Sequence, residues 1–175
     1  FNAIINKRVL KINYKPYVKD AFVFHFHPAF LKQYNNRWFA LGLNEETGIQ
    51  TMNIALDRIA SYSESENKYV DVKIEWEDFF SDTIGPTKPD GQPVEVVLKF
   101  TKNQAPYVIT KPLHQSQKKP KAVEDGSVVI RISVIPNFEL EQLLLSFGDG
   151  VEILEPESLR NSVSKRLRDA LAKYF

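Results

Sequence analysis

The first third of the chain alternates apolar and polar positions with a period of two. In "KRVLKINYK", Val9, Lys11 and Asn13 fall on one side and Leu10, Ile12 and Tyr14 on the other, the pattern of a half-buried strand. The stretch "DAFVFHFHPAFLKQYNNRWFALGL" adds further short β-rich runs, punctuated by Pro28 and by Asn35-Asn36. Two more strands around a polar turn are read in "RWFALGLNEETGIQTMNIALDRI", which ends in an Asp57-Arg58 pair set between Leu56 and Ile59. Short strands joined by tight polar turns predict a small barrel. The opening "FNAIINKR" places Phe1, Ile4 and Ile5 on one helical face, so the chain is expected to begin inside a helix with sequence preceding it.

Residues 64 to 82 are acid-rich, with Ile74, Trp76, Phe79 and Phe80 able to anchor a short helix on the barrel. The stretch "GPTKPDGQP" then supplies prolines and glycines close together and is the best domain boundary. Beyond it the order reads strand ("VEVVLKF"), short helix or turn ("NQAPYVITKPL"), strand and turn ("HQSQKKPKAVEDG") and strand ("SVVIRISVI"). Next come a helix closed by Gly148 ("NFELEQLLLSFGDG"), a strand ("VEILEP") and a final helix. In that helix Leu159, Val163, Leu167, Ala170, Leu171 and Tyr174 recur at helical spacing. A β-α-β-β-α-β order of this length predicts the split, or ferredoxin-like, motif. The expected architecture is therefore α+β: a barrel with a trailing helix over 1–84, then a ferredoxin-like domain over 92–175.

Composition narrows the function classes. At 175 residues and 43% hydrophobic, the chain can bury real cores. It contains no cysteine, which rules out disulfides and thiolate zinc sites and fits a reducing compartment, so a cytoplasmic protein is expected. No apolar run approaches the ~20 residues of a spanning helix, and a membrane protein is not expected. The net charge of +1 announces no polyanion partner by itself, although local patches can hide in a neutral total.

Chemistry is sparse. His25 and His27 lie two apart on a strand and would share a face, but only His114, across the boundary, could complete a metal trio, and the flanking Phe24 and Phe26 argue for burial. No nucleophile elbow, glycine-rich phosphate loop or zincin motif is present, so no enzyme, cofactor or metal is expected. Trp38 reads either as a core anchor or as a stacking surface. Arg58, between apolar neighbours at a strand end, must find a carboxylate, a phosphate or water. On a strand Asp57 and Arg58 would point to opposite faces, which disfavours pairing between them and turns Arg58 toward a pocket. Tyr14, Arg37 and the lysines near the start could add donors there, or simply form a solvated exterior. Lys111, Lys118, Lys119 and Lys121, and later Arg160, Lys165, Arg166 and Arg168, form basic stretches that read as solvated faces or as nucleic-acid contacts.

In order and spacing, "LKINY" (10 to 14), "HP" (27 to 28), "RWFALG" (37 to 42), "LDRI" (56 to 59), "HQSQ" (114 to 117), "LLSFGDGVEILEP" (144 to 156) and "LR" (159 to 160) resemble the WYL-domain transcription regulators of bacteria, including the extension that follows their WYL domain. The signature tripeptide departs from the pattern: Trp38 is kept, while Phe39 and Ala40 replace its tyrosine and leucine. The resemblance implies an Sm-like, SH3-type barrel followed by a ferredoxin-like extension, acting as the effector-sensing part of a homodimeric regulator. An N-terminal helix-turn-helix that binds DNA would lie outside this chain. It further implies a nucleic-acid ligand, single-stranded DNA in some relatives, or a nucleotide-like signal. By position Tyr14, His27, Trp38 and Arg58 would contact that ligand; Arg37 is added as a neighbouring donor, and Lys118, Lys119 and Arg166 as weaker nucleic-acid contacts, on the residue pattern alone. The alternative is a module that only dimerises a regulator or docks another protein.

Overall fold

The computed structural model describes residues 1–175, which divide into two compact units, Phe1–Trp76 and Glu77–Phe175. Both are mixed α/β with antiparallel sheets. The stretch 85–93 belongs to the second unit, as do Phe79 and Phe80.

The first unit opens with a short helix α1 (Asn2–Ile5) and continues through β1 (Leu10–Tyr14), β2 (Phe22–Tyr34), β3 (Arg37–Asn44), β4 (Met52–Ala55) and β5 (Ile59–Glu64). The strands form one sheet in the order β4-β3-β2-β1-β5. The β2–β3 hairpin turns on Asn35 and Asn36, whose φ values of 45° and 59° are the left-handed pair that a tight hairpin requires and that asparagine tolerates. Period-two alternation puts Ile12, Tyr14, Phe24, Phe26, Ala40 and Ile54 on one face, and these make the core. Their rings meet mostly edge to face, Tyr14 with Phe24 at 6.4 Å and Phe24 with Phe26 at 5.9 Å. Pro28 sits within β2 beside a register shift, where the missing N–H is tolerated. Opposite it, a Cβ on Gly42 would stand 2.1 Å from the His27 carbonyl oxygen, so only glycine allows the two strands to approach.

The expected closed barrel is not formed. β4 and β5 are the sheet edges and share no ladder. Residues Leu56–Arg58 form a 3-10 turn that carries the chain directly from one edge to the other. The Ala55 N–H instead donates to the Tyr14 hydroxyl at 3.2 Å. In a flat sheet β1 and β4 would lie three strand spacings apart, about 14 Å at ~4.8 Å per spacing, so this bond requires a strongly curled sheet.

The short helix α2 (Trp76–Phe79) opens on the last residue of the first unit, and the second unit continues through β6 (Val94–Phe100), α3 (Ala105–Thr110), β7 (Lys121–Ala122), β8 (Val128–Val134), α4 (Phe138–Leu145), β9 (Val151–Glu155) and α5 (Glu157–Leu171). Its sheet runs β7-β8-β6-β9, antiparallel throughout. Val128, Ile130, Ile132 and Val134 alternate into the core with Val96, Leu98 and Phe100 of β6, and the helices bury Ala105, Val108, Leu140, Leu144, Leu159 and Val163. Asn137 caps α4: its side-chain oxygen accepts the Leu140 N–H at 2.8 Å, and its amide donates to the carbonyls of Ile84 and Thr87. The last helix buries only the start of its apolar stripe. Leu159 and Val163 are buried, whereas Leu167, Leu171 and Tyr174 are exposed. The "HQSQ" segment docks beside β8, with the Ser116 hydroxyl donating to the Ser133 carbonyl and accepting the Ser133 N–H.

Candidate functional site

The end of β1 and the 3-10 turn are tied together by main chain, the Lys15 N–H donating to the Arg58 carbonyl at 2.9 Å. Around this junction lies a groove of about 330 Å³ lined by Lys15, Pro16, Tyr17, Asp57, Arg58 and Ile59, with Ala60 at its rim. Arg58 is its central group. The Nε is buried without a hydrogen-bond partner, no carboxylate pairs with the guanidinium, and the Cζ stands 4.4 Å from the centroid of the Tyr17 ring. A desolvated donor left open in this way is costly unless something outside the chain satisfies it.

Asp57 does not neutralise its neighbour. Its Oδ2 receives Arg37 Nε at 3.2 Å and the Tyr17 hydroxyl at 3.4 Å. Asp57 and Arg58 thus remain unpaired with each other, as expected, but for a different reason. They sit in a 3-10 turn and not on a strand, so strand parity does not apply, and Asp57 is already engaged.

The structure gathers Arg37 and Arg58 at one place and sets the other expected residues apart from it. Tyr14 is 7% exposed, and its hydroxyl is used by Ala55. His27, 1% exposed, accepts the Val70 N–H at Nδ1 (3.0 Å), which leaves the proton on Nε2, facing Glu45 at 3.4 Å. With Tyr69, whose hydroxyl donates to the Pro28 carbonyl at 2.9 Å, it fastens the acid-rich segment onto β2. Burial, and then the charge of Asp71, pushes the Tyr69 hydroxyl pKa above its ordinary value. Trp38 is 47% exposed on β3, opposite Gln33, outside the groove lining. His25 meets Glu46 at 2.9 Å. Burial raises the Glu46 pKa, but the hydrogen bonds from His25 outweigh it and hold the carboxyl below its usual range.

In the second unit Lys118 is held by Glu95, which also receives Arg131. Arg166 pairs with Glu141 at 2.6 Å and lies over the Phe138 ring, while Lys119 is exposed. Pro16 and Tyr17 were not singled out in the sequence. The signal that could have found them is "YKPY", a proline that ends β1 and presents an aromatic beside the LDR turn.

The WYL domain profile matches residues 1–63 and the WCX domain profile matches residues 92–171. The chain carries a WYL domain followed by a WCX domain. The WYL profile covers the first sheet as far as Ser63, including Arg37 and Arg58, and the WCX profile spans the second sheet with α3 to α5. Among solved structures, the WYL–WCX chain is similar to the proteasome accessory factor B/C (PafBC) of Arthrobacter aurescens, at 20% identity and TM-score 0.41 over 99% of this chain and 26% of that one. It is also similar to a CRISPR Cas-related protein, at 14% identity and TM-score 0.52 over 99% of this chain and 49% of that one. The chain thus spans about a quarter and about half of those two proteins. No curated protein matches it. No helix is long and apolar enough to cross a membrane.

Proposed function

We propose that this chain is the effector-sensing region of a bacterial transcription regulator, non-enzymatic and cytoplasmic, whose WYL domain reads a phosphate-bearing ligand through the Arg58 groove. The ligand is nucleic acid, single-stranded DNA among the candidates, or a nucleotide-like signal. The observation that carries this reading is the Arg58 guanidinium, unpaired beside an aspartate that other groups hold. A guanidinium offers paired donors that match a phosphate, and Lys15 adds a second cation in the same groove. The strand orders support the finer fold reading, an Sm-like curled sheet followed by a ferredoxin-like extension. Signal transmission to a DNA-binding domain outside the chain then requires that the ligand bind two arrangements of the regulator with different affinity.

A salt series with fluorescent single-stranded DNA, single-stranded RNA and a nucleotide panel tests this. Wild type is expected to bind one of them, and Arg58→Ala to weaken binding and flatten the salt slope by about one. Absence of binding by wild type, or an unchanged Arg58→Ala, overturns the proposal. A second reading, a module that chiefly pairs two copies of a regulator, draws on the exposed Leu167 and Leu171 of the last helix and Tyr174 just beyond it. Sedimentation as a monomer at high concentration would dismiss it.

A further inference from the structure

The second unit contains a recess of different chemistry, with a volume of about 540 Å³. Val108 of α3 and Leu143 of α4 face it, with Leu113 from the segment after α3 and Phe147 from the turn after α4. Phe147 is itself braced edge to face on Phe100 at 5.1 Å. Three polar groups of these walls are already engaged. The Thr110 hydroxyl donates back to the Pro106 carbonyl at 2.8 Å, the Val108 carbonyl accepts from Gln117, and the Tyr107 carbonyl accepts the Lys111 N–H. Pro112 has no N–H to satisfy. The interior therefore offers apolar surface, the usual composition of a small-molecule pocket.

Two polar tips remain, the Lys111 ammonium and the Tyr107 hydroxyl. Neither has an ionic or hydrogen-bonding side-chain partner, and no acidic residue lines the recess. An apolar body enters such a space readily, whereas a charged group inside it would be desolvated at high cost. A single anionic group can instead stay at the wet rim, next to the lysine. We propose that this recess binds a small amphipathic carboxylate, aryl or branched alkyl, with its apolar body between α3 and α4 and its carboxylate at Lys111. This ligand class differs from the phosphate-bearing one assigned to the first unit, whose groove is lined by Lys15, Asp57 and Arg58. The WCX domain is thereby an effector site in its own right.

Methyl-resolved NMR of the full chain, titrated with phenylpropionate and separately with the matching uncharged alcohol, tests it. Saturable shifts are expected at the methyls of Val108, Leu113 and Leu143, with the acid binding more tightly than the alcohol. Lys111→Gln, an exposed substitution, should weaken the acid by about fivefold and leave the alcohol unchanged, since a solvated ion pair contributes no more than that. Leu143→Gln should abolish both sets of shifts. No saturable shifts in wild type, equal affinity for acid and alcohol, or shifts that persist in Leu143→Gln would overturn the proposal.

Discussion

Replacing Tyr14 by phenylalanine separates two roles for one hydroxyl. Family resemblance assigns Tyr14 to the ligand, but in the fold its oxygen accepts the Ala55 N–H across the curled sheet, with both residues buried. Phenylalanine keeps the ring contacts with Phe22 and Phe24 and removes only the acceptor. A buried N–H is then left open, at a cost of about 1–3 kcal/mol. For a unit of this size each kcal/mol corresponds to roughly 4–8 °C in Tm. Trp38 lies on β3, and Trp76, the last residue of the first unit, stacks on Phe30 at 5.4 Å, so tryptophan fluorescence during urea unfolding follows the first unit. The variant is expected to lose stability by this amount. Where it remains folded, its affinity for the ligand of the Arg58 groove should change by less than about twofold. If stability stayed within about 0.3 kcal/mol of wild type while affinity fell about tenfold, the hydroxyl would be a ligand contact and the structural assignment would be refuted.

Three further outcomes are expected. Asp57→Asn removes the carboxylate beside Arg58 and should tighten anion binding about two- to threefold at low salt, with the gain disappearing as salt rises; weaker binding would show that Asp57 itself receives the ligand. Asn137→Ala deletes the cap of α4 and its bonds to Ile84 and Thr87, and should cost about 1–2 kcal/mol, read as faster exchange of the Leu140 amide proton; unchanged exchange would refute the capping role. The Asp125 carboxyl is pushed down to about 2, first by the Ser127 hydroxyl, then by the Ser127 N–H and by Lys99. Its folded pKa lies below the unfolded value of about 3.9, so its contribution is complete above that pH and is lost as pH falls toward about 2. Thermal melts across that window should show an acid sensitivity that Asp125→Asn removes.

Local patterns carried much of the fold. Alternation located β1, β6 and β8, and Asn35-Asn36 marked the hairpin, because each signal is complete within a few residues. The LDR turn was not legible, since charges between Leu56 and Ile59 fit a strand end as well as one tight turn. The place where the chain divides was obscured for a related reason. Prolines and glycines at 85–93 look like a linker, yet the Asn137 side chain fastens Ile84 and Thr87 to the start of α4. The burial of His27 was legible from its phenylalanine neighbours, but its partner was not, because the N–H it accepts comes from Val70, far along the chain.

The same contrast separates the residues of the candidate site. Arg58 was legible because an isolated guanidinium poses a physical question wherever it sits, and the sequence offered Asp57 as the nearest answer. Only the fold shows that Arg37 and Tyr17 take that carboxylate, leaving the Arg58 Nε buried and open. Had Asp57 closed on Arg58, the pair would be neutral and Lys15 alone would be left in the groove to attract an anion. As built, Arg37 and Asp57 satisfy each other, and Lys15 and Arg58 are left as uncompensated cations in one groove beside an exposed aromatic ring. That division makes the arginine pair a test of the site. Arg37→Ala releases Asp57 toward Arg58, so it should weaken anion binding although Arg37 does not line the groove. The double variant with Asp57→Asn should recover that loss; failure to recover it would mean that Arg37 meets the ligand directly.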